Sequence, residues 1–510
     1  MNTLHTRLSG VLVHPTSFPS PYGIGDLGQG AYDFIDFLKA SGQSLWQVLP
    51  LGPTGFGDSP YQSFSVFAGQ SLLISPDDLV DLELITKDDL YPIPEFDAAK
   101  VDYGAVLNYK NALFKKAFQT FHHTPNKFLL EEFDDFCLEN KKWLSDYAVF
   151  MACKDAHEGR SWQEWDDEMT TPTAKVRLAF ETEYKEQIKY YKFIQFLFFR
   201  QWTALREYLH QQDIQVIGDL PIYVPMDSAD VWAEPEFFQL DDQCIPTAVS
   251  GVPPDYFSED GQLWGTPLYR WDVMQEDGFG WWIRRIDGAG KLYDVIRIDH
   301  FRGLDTYWAV PYGETTARKG QWCKGPGMAL VSALTGWFPG LQFIAEDLGY
   351  PTPSVQQLLL DSGWPGMKVL EFAFDSRDTS NYLPHTYPRH CVCYTGTHDN
   401  SPVELWRHEA APEDIAYAKR YLGLNDEEGF HWGILRGGQS SVADLFVAQM
   451  QDYLGLGQYH RMNTPGILGG NWQWRMLPGE ASAELVKKQF ILKGNEIYQL
   501  LVNKLTEENA

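Results

Sequence analysis

The chain has 510 residues, of which 44% are hydrophobic and 22% charged, and its 69 acidic against 41 basic residues leave a formal charge of -28. This composition excludes a disordered chain, and a surface this negative repels phosphate backbones and anionic lipid. Nucleic-acid and membrane partners are therefore not expected, whereas neutral ligands are.

The opening residues MNTLHTRLSG lack the apolar centre of a leader peptide, and no run approaches 18 apolar residues, so a cytoplasmic protein is expected. The first element is the apolar run GVLVHP (10–15), read as a buried strand. YGIGDLGQG follows, with Gly23, Gly25 and Gly28 in the order G-x-G-x-x-G. That order marks a dinucleotide site only when a strand leads directly into it and an acid for the ribose follows about 20 positions on. Here PTSFPSP intervenes, and the next strand, LWQVLPLGP (45–53), carries no such acid. The glycines are instead expected to let a loop turn tightly over the mouth of a barrel.

From 56 to about 205 apolar residues recur at three and four, with charges between them, as in FLLEEFDDFCLENKKWLSDYAVFMACKDA. This predicts a mostly helical insertion. Strand-like runs then resume: VIGDLPIYV (216–224), VIRIDHFRG (295–303), FIAEDLG (343–349), MKVLEFAFD (367–375) and CVCYTGTHDN (391–400). They are continuous rather than alternating, as parallel strands buried on both faces require. Seven such runs, with an eighth expected near Met462, predict an α/β fold of the (β/α)8 TIM-barrel type with smaller loop insertions at its C-terminal face. The expected division is 1–55 for the first two barrel strands, 56–205 for the insertion, and 206–510 for the rest of the barrel. An active-site loop is expected at 250–270. Six cysteines (137, 153, 244, 323, 391 and 393) show no C-x-x-C pairing, so neither a zinc ribbon nor a disulfide framework is suggested.

Three acids end barrel strands: Asp299 in VIRID, Glu346 in FIAE and Asp399 in YTGTHD. In such barrels strand C-termini form the catalytic face, so acids far apart in sequence converge there. Arg297 and Asp299, two apart on one strand, share a face, and the guanidinium is expected to keep Asp299 ionised. Glu346 follows apolar FIA, where partial desolvation raises a carboxyl pKa. A charged and a protonated carboxyl are the minimum apparatus for cleaving a glycosidic bond with retention. That makes Asp299 the candidate nucleophile, Glu346 the acid/base and Asp399 a holder of sugar hydroxyls. A lone acid at a strand end reads better as a helix cap or ion-pair partner than as a site residue, but three together, two flanked by Arg297 and His398, reverse that and favour a site. His300, His398 and the acids could also ligate a metal, although no H-E-x-x-H or close His pair supports that.

VIRIDHFRG, IAEDLG and TGTHDN resemble the signature segments of 4-alpha-glucanotransferases (amylomaltase or disproportionating enzyme, glycoside hydrolase family 77). HPTSFPSPYGIGDLG, GDSPYQSFS, IGDLPIYV, GVPPDYFSEDGQLWGTPLYRW and LGLGQYHRMNTPG with GNWQWR are similar to family segments in the same order. The resemblance implies a retaining double displacement between maltooligosaccharides or other α-1,4-glucans, with glucose as acceptor or product, no metal and no cofactor. It assigns Asp299 as nucleophile, Glu346 as acid/base and Asp399 as transition-state stabiliser, with Arg297 and His398 around the donor sugar. Ser59 and Tyr61, and more loosely Asp219 and Asn463, match substrate contacts. Tyr256 and Phe257 match a mobile loop over the cleft, with Trp264 after it. Phe56 stands where relatives often carry Tyr, Ser401 and Pro402 where many continue with an acid and Thr, and Glu371 where Gln is frequent. A hydrolase of the same glucans and a non-catalytic glucan-binding protein are the alternatives; the intact acids argue against the second.

Overall fold

A computed structural model describes residues 7–492 apart from 125, 166–167, 255–257, 350–351 and 378–381. Twelve strands appear among the described residues. In chain order they are β1 (Leu8–Leu12), β2 (Leu45–Gln47), β3 (Gln215–Leu220), β4 (Ala248–Val252), β5 (Gln262–Pro267) and β6 (Val295–Ile298). β7 (Thr306–Pro311), β8 (Gln321–Lys324), β9 (Gln342–Ala345), β10 (Gly366–Val369), β11 (Cys391–Tyr394) and β12 (Leu445–Gln449) follow. Eight form one all-parallel sheet in the order β10-β11-β12-β1-β2-β3-β6-β9. The edge strands β9 and β10 meet where the Ala345 N–H donates to the Pro365 carbonyl at 2.9 Å. The sheet thereby comes round into the TIM barrel that the continuous apolar runs predict. Val11, Trp46, Ile217, Ile296, Ile344, Val392 and Phe446 are all buried in one core, as strands covered by helices outside and side chains inside must be.

The eighth barrel strand is β12, not a segment near Met462. In LFVAQMQDYL (445–454) a five-residue strand runs without a turn into the helix Met450–Leu454. Its apolar residues therefore mimic helical spacing in the sequence. Met462 instead lies buried in irregular chain, its carbonyl accepting from the Trp472 N–H at 2.7 Å.

Helix α1 (Gln29–Ala40) buries Ala31, Phe34, Ile35 and Leu38, one stripe at helical spacing. Between β2 and β3 stand α2 (Pro76–Asp81), α3 (Tyr103–His123), α4 (Lys127–Glu139), α5 (Lys141–Ala156), α6 (Ala174–Glu183) and α7 (Lys185–Gln211). Two buried glutamines of α7 splint the chain that leaves the mouth. Gln195 exchanges two hydrogen bonds with the Gly69 backbone, and Gln201 two with that of Ser75. The glycine-rich stretch after β1 packs as expected of a tight loop: Gly23 has φ +80°, and a Cβ on Gly25 would lie 2.0 Å from the Pro15 carbonyl oxygen. The other four strands make an antiparallel sheet, β5-β4-β7-β8, beside the barrel mouth.

Candidate active site

β3, β6 and β9 are consecutive in the barrel, and their C-terminal ends carry Asp219, Asp299 and Glu346. Asp219 and Arg297 are register partners on β3 and β6, so both side chains point into the barrel. Arg297 Nη1 donates to Asp219 Oδ1 at 2.6 Å, to Asp219 Oδ2 at 2.7 Å and to Asp299 Oδ1 at 3.1 Å. Burial would strip charge from the guanidinium, but Asp219 and Asp299 outweigh it and hold Arg297 firmly charged. Asp219 is sealed from the cleft, with Arg297 and the Tyr61 hydroxyl (2.8 Å) on its oxygens. Asp219, expected from the resemblance as a looser substrate contact, anchors two cleft residues, Arg297 and Tyr61.

β6 pairs with β9 up to Ile298 and Ala345, so Asp299 and Glu346 emerge side by side. His300, immediately after Asp299, adopts the left-handed region (φ 51°), which turns its N–H towards the neighbouring acid. That N–H donates to Glu346 Oε2 at 2.6 Å, and the Leu348 N–H to Oε1 at 3.0 Å. Two backbone donors thus fix the plane of the Glu346 carboxyl.

The Asp299 side chain keeps 30% of its surface open, towards the mouth. Burial pushes its pKa up to about 7, against the pull of Arg297 and with added repulsion from Asp219 and Asp399. Desolvation therefore outweighs the guanidinium that was expected to keep Asp299 ionised. Burial raises Glu346 further, to about 8; Arg297 and the two backbone donors oppose the rise, and Asp299 adds to it.

Asp399 approaches from the loop after β11, its side chain 47% exposed. Asn463 Nδ2 donates to its Oδ1 at 2.6 Å, and His398 Nε2 lies 3.3 Å from the same oxygen. The Tyr61 ring stacks on His398 at 5.1 Å, and Trp472 packs against both. Ser59 shapes this wall: its hydroxyl accepts from the Tyr61 N–H at 3.2 Å and its carbonyl from Gln62 at 3.1 Å. On the other flank, Trp264 of β5 meets the His300 ring edge-on at 4.7 Å. Tyr256 and Phe257 lie outside the described residues.

Three residues at the mouth were not singled out from sequence for the parts they play. His14, two residues past β1, is kept neutral by burial and by His398, its pKa down to about 3. Trp472 completes the Tyr61–His398 stack. Glu371 is buried, and its carboxyl is pushed well above the usual range by burial and by Asp452. Single aromatics and acids carry no periodic signal, so only the spatial neighbours disclose them. Among the described residues no group of three or more His, Cys, Asp or Glu could hold a metal ion.

A family model described as 4-alpha-glucanotransferase matches residues 13–480. The chain is 47% identical over 485 residues to the 4-alpha-glucanotransferase of Thermus thermophilus, covering 94% of this chain and 96% of that one. It is 44% identical over 495 residues to that of Aquifex aeolicus, covering 96% and 100%. The fold superposes on the amylomaltase from Streptococcus agalactiae in complex with acarbose with a TM-score of 0.92, at 40% identity, over 95% of this chain and 98% of that one.

Proposed function

Because the chain belongs to the 4-alpha-glucanotransferase family, we propose that it disproportionates maltooligosaccharides and longer α-1,4-glucans by a retaining double displacement on Asp299. A carboxylate oxygen of Asp299 attacks the anomeric carbon, and Glu346 gives its proton to the departing glycosidic oxygen. The glucan left behind is an ester of Asp299. An acceptor 4-hydroxyl then surrenders its proton to Glu346 and attacks the same carbon, which releases the Asp299 carboxylate. Asp399, steered by Asn463 and His398, stabilises the oxocarbenium-like transition states. Asp219 holds Arg297 and Tyr61 in place, Arg297 and His398 flank the donor sugar, and Ser59, Tyr61 and Trp264 line its path. Tyr256 and Phe257 belong to the loop expected to cover the cleft. Glucose serves as the smallest acceptor and product, and neither cofactor nor metal enters the scheme. Cysteines without C-x-x-C spacing suit the reducing cytoplasm. Among the described residues no helix is long and apolar enough to cross a membrane.

One observation carries this reading: Asp299 and Glu346 leave adjacent parallel strands together, one on a guanidinium and the other on two backbone donors. Transfer must outrun attack by water, which is far more concentrated, and aromatic walls that exclude water and seat the acceptor serve that end. Maltotriose should accordingly yield glucose and a ladder of longer glucans, with total reducing ends unchanged. A steady rise in reducing ends would make the chain a hydrolase, and no products at all a binding protein.

The pair also sets a pH response. Attack needs Asp299 ionised and Glu346 protonated, so kcat/KM should peak narrowly between about pH 7 and 8 and fall on both sides. Unfolded, the two carboxyls ionise near pH 4. Their folded pKa values are raised, so the stability they contribute is full below about pH 4 and is lost as the pH climbs to about 8. Melting temperatures from pH 5 to 8 should therefore decline more steeply for the wild type than for an Asp299→Asn/Glu346→Gln double variant. Parallel curves would refute the raised values.

A further inference from the structure

The loop bearing Asp399 is fastened by one guanidinium. Arg461 donates from Nη2 to the Asp399 carbonyl, from Nη1 to Ser401 Oγ at 3.0 Å and from Nε to the Asn463 carbonyl at 2.6 Å. Ser401, itself buried, donates a hydrogen bond from its hydroxyl to Glu409 Oε2 at 2.6 Å, at the end of the helix Val403–Glu409. Arginine can only donate and an ionised carboxylate only accept, so the direction of this chain of bonds is fixed from Arg461 through Ser401 to Glu409. The acceptors on Arg461 belong to two separate segments, the 399–401 loop and the 461–463 stretch. Those segments also meet directly: the Asn463 N–H reaches the His398 carbonyl at 3.2 Å, and its amide reaches Asp399 Oδ1 at 2.6 Å.

The geometry points to a positioning brace, Glu409–Ser401–Arg461, that aims the Asp399 carboxylate at the reacting centre. The inference rests on Asp399 acting as the transition-state stabiliser. Arg461 is a positioning residue: it holds the backbone behind Asp399 and the backbone behind the amide that orients Asp399. A planar fork is needed to bind those acceptors from one side chain. The same guanidinium also faces the buried Glu371, beside Glu409 and Asp452. Balancing that acid would need only a positive charge, which lysine supplies; the brace needs the fork, which lysine lacks. Charge develops on the sugar only in the transition state, so a slack brace lowers kcat and leaves KM nearly unchanged.

The test measures kcat and KM for glucose release from maltotriose. Arg461→Lys should lose about 100-fold in kcat, with KM within about threefold. Glu409→Gln and Ser401→Ala should each lose about 10-fold, and the two together no more than either alone, since they break one link. Ser401→Asp placed in the Glu409→Gln background should recover most of the loss, because a carboxylate at 401 reaches Arg461 directly. Glu409 is exposed at a helix end, so Glu409→Gln reports even where an Arg461 variant fails to fold. Multiplying losses, a wild-type kcat for Arg461→Lys, or a loss carried by KM would each overturn the brace. Asp399→Asn is measured alongside. If it stays active, the role given to Asp399 is wrong; if it is inactive while Arg461→Lys and Glu409→Gln turn over normally, the brace alone is wrong.

Discussion

Asp299→Asn should lower disproportionation by ~10⁴-fold or more without unfolding the protein. An amide oxygen is a poor nucleophile, and the next acid on that face, Asp219, is sealed behind Arg297 and Tyr61. The fold should survive, because Arg297 keeps both of its bonds to Asp219 and the Asp299 N–H still reaches the Leu220 carbonyl at 3.0 Å. Stability at pH 8 should even rise. Burial lifts Asp299 to about 7, so holding it ionised above that pH costs free energy that a neutral isostere avoids. Circular-dichroism melts at pH 8 and initial rates on maltotriose check the two halves. Activity within a few-fold of wild type, or covalent labelling of another residue by a fluorinated glucosyl donor, would remove Asp299 from the mechanism.

Glu346→Ala should have the second-largest effect, ~10³- to 10⁴-fold on maltotriose, and should depend on the leaving group. A sugar alkoxide cannot depart without a proton, whereas fluoride can. With an α-maltosyl fluoride donor the first displacement should therefore proceed at close to the normal rate. The ester on Asp299 should then persist, because no base remains to draw the proton from an acceptor hydroxyl. Azide, already an anion and small enough for the space left by the side chain, should restore turnover and give a product of retained configuration. Glu346→Gln is the weaker probe: the His300 and Leu348 N–H groups occupy both carboxyl oxygens, and an amide offers only one acceptor. Equal losses on the fluoride and on maltotriose, with no response to azide, would show that Glu346 is not the proton donor.

The barrel was legible wherever a strand stood apart as a continuous apolar run between turn signals. VIRI and QFIA are of this kind, and each is followed at once by its acid. β12 was not legible, because its five residues flow into a helix and their spacing suits both. At the site, the period of two placed Arg297 and Asp299 on one face without any structure. It could not reveal that the guanidinium is bound first to Asp219, on the neighbouring strand, since register between strands is not written in either strand alone. Arg461 had no signal of its own: its partners are a serine hydroxyl and two carbonyls, none of which forms a pattern with it.

Residue order by itself determined the class of fold, the strands that end in Asp299 and Glu346, and the pairing of Arg297 with Asp299. These depend on neighbours in the chain, through backbone propensity and the alternation of side chains along a strand. Only the tertiary structure decided that Asp219 anchors Arg297 and Tyr61, that burial overrides Arg297 at Asp299, and that Asp399 is steered by Asn463 and Arg461. Desolvation and hydrogen bonding are properties of the space around a group. That space is made by segments that meet only when the barrel closes.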